Sequence, residues 1–243
     1  MKSDHPDGKF YSTQWTLVER ASSGDVEVAD EAIAEICKRY WAPLYVFARC
    51  KGMSEADAED AVQIFFTELL DKRLIEKADS EKGKLRTFFL TVMDRTIKIK
   101  KRGESAQKRG GGQITFSIDQ AREEQWYNSE PTESATPESL FEKRWALSVL
   151  EQALSSIREG YEKKGKEKVF DALKPHLGWS AGEESYGEVA KRLQMTEGAV
   201  KVAVYRLRQK YKETLQRQIA DTIGTSDSEL IREEITHLFS ALS

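Results

Sequence analysis

The sequence predicts an all-α protein built as two small helical domains joined by a flexible acidic linker, the second domain containing a helix-turn-helix. Three observations predict it. Apolar residues recur at helical spacing along most of the 243 residues, alternating β-branched runs are absent and there are only five prolines. Between Ser185 and Tyr211, two short amphipathic stretches flank a tight turn. Charge is strongly segregated beneath a net value of only −3. From Lys191 to Arg217 there are eight basic and two acidic residues, and from Met93 to Gly112 seven and two. From Asp119 to Glu142 seven acids face only Arg122.

Residues 1–12 are polar, and a short helix over Thr13–Ser22 would pack Trp15 and Val18 inward. Asp25 or Asp30 then opens a helix whose Ile33, Ile36, Cys37, Tyr40, Leu44 and Phe47 keep helical period. Pro43 within it predicts a kink or break near Trp41, and Gly52 ends it. Ser54 and Asp57 resemble a capping box for a helix over 54–73. Ala58, Ala61, Val62, Phe65 and Leu69 form its core stripe, which leaves Ile64 and Phe66 as surplus apolar residues beside Asp57, Asp60, Gln63 and Thr67. Apolar residues rimmed by carboxylates suit a protein interface, or else contacts inside a small bundle.

A loop over 74–84 leads to a basic helix over 85–102, with Leu85, Phe88, Phe89, Val92 and Thr96 facing inward. Arg86, Arg95, Lys98, Lys101 and Arg102 crowd one side and the C-terminal end, where cations also favour the helix dipole. Three consecutive glycines then stop helix formation. The following stretch to Ser134 is polar and acidic without sustained periodicity, which marks it as linker. Thr136-Pro137 opens the next helix, with Leu140, Leu147, Leu150, Leu154 and Ile157 on one side.

In SYGEVAKRLQMTEGAVKVAVYRLRQKY (185–211), Ser185 and Glu188 form a capping box and Thr196 caps a second helix. Val200, Val204, Leu207 and Tyr211 make its buried stripe. Its outer face carries Gly198, Lys201, Val202, Tyr205 and Arg208, with Arg206 beside it, which suits the DNA major groove. A plain αα-hairpin with a solvated basic face fits the same pattern. Past Arg217, Ser226 and Glu229 repeat the capping spacing ahead of Ile231, Ile235, Leu238 and Leu242. The acids of this last segment could cover the basic helix-turn-helix, or the segment could simply extend the second domain's core.

Cys37 and Cys50 lack companion ligands, and His5, His176 and His237 are scattered. Structural burial of the cysteines, no metal, no cofactor and no enzymatic activity are therefore expected. No apolar run approaches the roughly 20 residues that span a bilayer, and no leader pattern is seen. A cytoplasmic protein without membrane contact is the expectation.

Two stretches taken together resemble one family. DAEDAVQIFFTELL (57–70) with GKLRTFFLTVMDRTIKIKKR (83–102), followed by the 185–211 stretch, is similar to the two domains of extracytoplasmic-function (ECF) sigma factors of bacterial RNA polymerase. Two matches in the right order, about three-quarters of the chain from Trp15 to Arg217, are more specific than either alone. The RYW–PLY segment, QKRGGG and the C-terminal helix look like a long-chain subgroup with a C-terminal extension.

The resemblance implies a sigma initiation factor that binds polymerase core, recognises −35 and −10 promoter elements and assists melting. It implies a region-two-like domain over 1–103, a linker over 104–136, a region-four-like domain over 137–217 and an extension over 218–243. Asp60, Gln63, Ile64 and Phe66 would meet the clamp coiled coil of the largest polymerase subunit. Lys82, Lys84, Arg86, Lys98, Lys101 and Arg102 would meet phosphates of the downstream element, where a base is extruded at a cost of a few kcal/mol. The loop over 76–83 would supply that base's pocket. At the upstream element, Lys201, Val202, Tyr205 and Arg206 would lie nearest the bases, and Thr196 and Arg208 nearer phosphates. The resemblance also admits an anti-sigma or other regulatory protein as a partner. Ile99 stands where relatives often carry Asn, and Gln194 where Gly is common in the turn. An alternative reading is a helix-turn-helix transcriptional regulator that does not bind polymerase core.

Overall fold

The computed structural model describes residues 18, 20–70, 85–103, 120–130, 135–178, 184–223 and 226–242. Every regular element among them is helical. They fall into two compact units: one drawn from Met1–Ser148 and Ala220–Ser243, the other from Val149–Ile219.

The first unit is built on α1 (Val26–Cys50), which packs against α2 (Glu55–Leu70), α3 (Leu85–Gly103) and α4 (Gln120–Ser129). Asp25 is the N-cap, accepting from the amides of Glu27 at 3.0 Å and Val28 at 3.4 Å. The helix runs through Pro43 without the expected break. Pro43 sits among buried neighbours from Tyr40 to Ala48, so tertiary packing holds the turn that the proline weakens. The end is a Schellman motif: Gly52, at φ +81°, donates to the Arg49 carbonyl and Met53 to that of Ala48.

Aromatic rings fill this unit's core. Phe89 meets Tyr40 edge-on at 4.7 Å and Phe65 at 5.1 Å between centroids, and Phe47 meets Phe141 at 6.4 Å. On α3 the buried side is Leu85, Phe89, Met93, Thr96 and Ile97, with Phe88 and Val92 half-buried. Val18 is buried as expected, whereas Trp15 lies outside the described residues.

The segment expected as linker holds a helix, α4. Its Glu123 and Glu124 are buried, and each meets an arginine from a different helix. Arg49 of α1 grips Glu124 through Nε at 2.8 Å and Nη2 at 2.6 Å, and the Tyr45 hydroxyl donates to the same carboxylate at 2.7 Å. Arg144, from α5 (Pro137–Glu162), donates through Nε and Nη2 to Glu123. These bidentate pairs explain why an acidic, weakly apolar stretch is ordered here. Residues 137–148 and α9 (Ser228–Ser240) also group with this unit.

In the second unit, Leu150, Ala153 and Ile157 of α5 are buried, as are Phe170, Ala172 and Leu173 of α6 (Glu167–Leu173). A short 3₁₀ turn, Lys174–Leu177, follows. Then come α7 (Tyr186–Leu193) and α8 (Glu197–Ile223). The Tyr211 hydroxyl of α8 donates to the Leu150 carbonyl at 3.5 Å, and Lys210 lies over the Tyr161 ring at 5.6 Å.

Candidate nucleic-acid interfaces

The α7–turn–α8 segment is assembled by local hydrogen bonds that the sequence already encodes. Ser185 Oγ accepts from the Glu188 amide at 3.3 Å, and the Glu188 carboxylate accepts from the Ser185 amide at 2.7 Å. The backbone and hydroxyl donors of Ser185 hold the Glu188 carboxyl below its ordinary pKa. At the turn, Gln194 adopts φ 53°, ψ 43°, and the Met195 amide reaches the Ala190 carbonyl at 2.9 Å. This is the left-handed conformation that glycine enters most cheaply. Thr196 Oγ1 accepts from the Ala199 amide at 3.2 Å and starts α8.

Val200, Val204, Leu207 and Tyr211 are buried together, which fixes the rotation of α8. The opposite face presents Lys201, Val202, Tyr205 and Arg206 to solvent, with Val202 48% and Tyr205 62% exposed. Lys201 pairs with Glu197 at 2.7 Å, one turn earlier. Both side chains are more than half exposed, so this pair is weak and readily exchanged. Arg208 is exposed but donates through Nε at 3.0 Å and Nη2 at 2.7 Å to the His176 carbonyl. Its guanidinium therefore ties α8 to the 3₁₀ turn and keeps only its remaining N–H groups for other acceptors.

In the first unit, the residues expected on the acidic helix separate. Asp60 and Ile64 are exposed and Gln63 is half-exposed, all on one side of α2. Phe66 is fully buried, edge-on to Phe65 at 5.2 Å. It extends the core stripe as the residue four after Val62 and three before Leu69, so α2 has a wider buried face than one stripe. Lys100 of α3 reaches across to Asp57 at 2.9 Å and Asp60 at 3.0 Å. The Ser54 hydroxyl and then Lys100 hold the Asp57 carboxyl below its usual range.

On α3, Lys98, Lys101 and Arg102 are exposed, as are Arg95 and Ile99. Lys98 pairs with Asp94 at 2.6 Å, and Lys101 donates to the Lys51 carbonyl at 2.6 Å. Arg86 differs from the expectation of a phosphate-facing cation: it is 3% exposed and bonded to Glu142 and Glu234. Its position beside Leu85 and Phe89, on the inward side of α3, puts it there. Lys82, Lys84 and the loop over 76–83 lie outside the described residues. The buried carboxylates Glu123 and Glu124 went unnoticed in the sequence, and Glu234, read there as one of the outer acids of the last segment, is buried instead, because only the tertiary arginines identify such positions.

Burial pushes the Cys37 thiol up to about 12 and that of Cys50 to about 11. Among the described residues, no group of three or more His, Cys, Asp or Glu could hold a metal ion. No described helix is long and apolar enough to cross a membrane.

The family model described as ECF sigma factor matches residues 16–217, which takes in α1 through most of α8. No curated protein and no solved structure matches the chain. With the acidic helix, the basic helix and the capped α7–turn–α8 segment all inside that one span, the chain belongs to the ECF sigma factor family, and its role is that of a sigma initiation factor acting in transcription with RNA polymerase core and promoter DNA.

Proposed function

We propose that the chain directs polymerase core to promoters by reading an upstream element with α8 and a downstream element with α3, and that it assists melting without covalent chemistry of its own. The observation that carries the reading is the exposed face of α8, where Lys201, Val202, Tyr205 and Arg206 stand together opposite a fully buried stripe. Lys201 and Arg206 can donate to guanine O6 and N7, and Val202 can meet a thymine methyl. Thr196, at the start of the helix, and the free edge of Arg208 suit phosphates.

Lys98, Lys101 and Arg102 supply the phosphate side of the downstream contact, next to exposed Ile99. On α2 the Asp60, Gln63 and Ile64 face is the site for the clamp coiled coil, an apolar centre with a polar rim. The Asp60–Lys100 pair holds that carboxylate in place while leaving its side chain 63% exposed. Phe66 contributes by packing rather than contact.

Core binding tests the α2 assignment. Asp60→Lys and Ile64→Asp are expected to lose co-purification with polymerase core while retaining the wild-type circular dichroism spectrum. Undiminished core binding by both folded variants would refute it. Phe66→Ala is unsuitable for this purpose, because emptying that site costs about 3–5 kcal/mol of stability.

A further inference from the structure

The family match ends at residue 217, yet α9 follows and groups with the first unit. Asp227 caps it, in place of the expected Ser226, accepting from the Glu229 amide at 2.8 Å. Among the described residues, its polar attachment includes a cluster around the buried Arg86. Arg86 donates through Nη1 to Glu234 and through Nε to Glu142 at 2.9 Å, and its guanidinium lies 4.5 Å from the Trp145 ring centroid. His237 Nε2 stands 3.6 Å from the other Glu142 oxygen. Burial alone would weaken the charge on Arg86, but the carboxylates of Glu142 and Glu234 outweigh it and raise its pKa.

The apolar hold of α9 is slight. Of the stripe Ile231, Ile235, Leu238 and Leu242, only Leu238 is buried. Among the described residues, Glu234 and Leu238 are the buried members of α9, with Ile231, Ile235 and Leu242 half-buried beside them, so a charge pair carries part of the docking and is open to competition.

A guanidinium forks onto a carboxylate or a phosphate with the same geometry. We propose that α9 is an autoinhibitory clasp acting in cis: Glu234 occupies the edge of Arg86 that a nucleic-acid phosphate would take, and single-stranded DNA on α3 displaces it. Glu142 keeps its hold on the Nε edge when Glu234 leaves. This inference rests on the reading of α3 as the downstream-element helix. The sequence offered two roles for this segment, a cover for the helix-turn-helix or an extension of the second domain's core; its grouping with the first unit points the C-terminal acids to the basic helix there instead.

The test uses the full chain and a fluorescent oligo-dT strand, read by anisotropy at fixed low salt. Leu238→Asp removes the apolar anchor and adds a negative charge, so the substitution's own charge works against any gain. Affinity is expected to rise about three- to tenfold, the scale of one added phosphate contact at low salt. Arg86→Gln in the same background should abolish the gain. Glu234→Gln keeps the side-chain shape and should give a smaller rise of the same sign, which guards against misfolding of the first variant. Hydrogen exchange over 228–240 should accelerate in both.

Unchanged affinity in variants whose α9 amides have become exposed overturns the clasp, as does a gain that survives Arg86→Gln. Amides that stay protected in both variants overturn it too, because Glu234 and Leu238 would then not be the attachment. A separate arm, Lys98→Ala with Arg102→Ala, distinguishes the failures. If strand binding ignores that pair, the reading of α3 fails and the clasp with it. If the pair weakens binding while Leu238→Asp does nothing, only the clasp fails.

Discussion

The Glu123–Arg144 pair gives a sharp prediction about where the folded N-terminal unit ends. Arg144 donates through two nitrogens to both Glu123 oxygens and through Nη1 to Ser148 at 3.1 Å, and the paired side chains are 5% and 4% exposed. Arg144→Met strands a buried carboxylate, and Glu123→Leu strands a buried guanidinium. Each should cost about 3–5 kcal/mol, because the remaining charge loses its partner but not its desolvation penalty. Part of the Arg144→Met cost, about 0.5–1 kcal/mol, comes from losing the guanidinium 5.8 Å from the Trp126 ring.

Replacing both residues removes the stranded charge, so the double variant should lie within about 1 kcal/mol of wild type. In a unit of this size each kcal/mol moves Tm by about 2–4 °C. The singles should therefore melt roughly 10 °C low, and the double close to wild type. Thermal unfolding by circular dichroism reads the shifts, and hydrogen exchange over 120–129 shows whether α4 leaves alone. Single variants that each cost under about 1 kcal/mol, with no coupling in the double, would refute the view that α4 is an integral part of the unit.

Three further outcomes are expected. Gln194→Gly should stabilise the second unit by about 0.5–1 kcal/mol, since it relieves a left-handed residue at φ 53°; urea unfolding checks this, and destabilisation would show that the Gln side chain has a role of its own. The Glu124 carboxyl is held below its usual range, first by the Arg49 hydrogen bonds and then by Tyr45. Its stabilisation is therefore present above the ordinary carboxylate pKa of about 4.3 and is lost as pH falls through the lower folded value. Glu124→Gln should accordingly cost about 1.5–3 kcal/mol near pH 7 and progressively less below about pH 4, in pH-dependent urea titrations. Arg206→Ala should weaken binding of the upstream element and relax preference at one base pair by about 1–3 kcal/mol, in a comparison of promoter variants at constant salt.

The two capped helices α7 and α8 and the turn between them were legible in the sequence because their determinants are local. The Ser185–Glu188 box, the Thr196 cap and the Val200-to-Tyr211 stripe each involve residues within one or two turns of one another. The same holds for the Gly52 terminus and the Thr136 cap, whose Oγ1 accepts from the Ser139 amide at 3.1 Å. What escaped was set by distant partners. Phe66 looked surplus because one stripe was assigned to α2, whereas neighbours cover a second. Arg86 looked like a surface cation until Glu142 and Glu234, 56 and 148 residues away, closed on it. An acidic stretch around Glu123 and Glu124 read as linker because no local signal announces arginines on two other helices. Pro43 shows the converse: a local breaker overruled by burial.

Run-off transcription with purified polymerase core tests the central claim most directly. Core plus this protein is expected to initiate at a defined start on a matched promoter, and Lys201→Ala with Arg206→Ala, at positions exposed on α8, to abolish that product while leaving core binding intact. Full occupancy of core without initiation on any genomic promoter would contradict it.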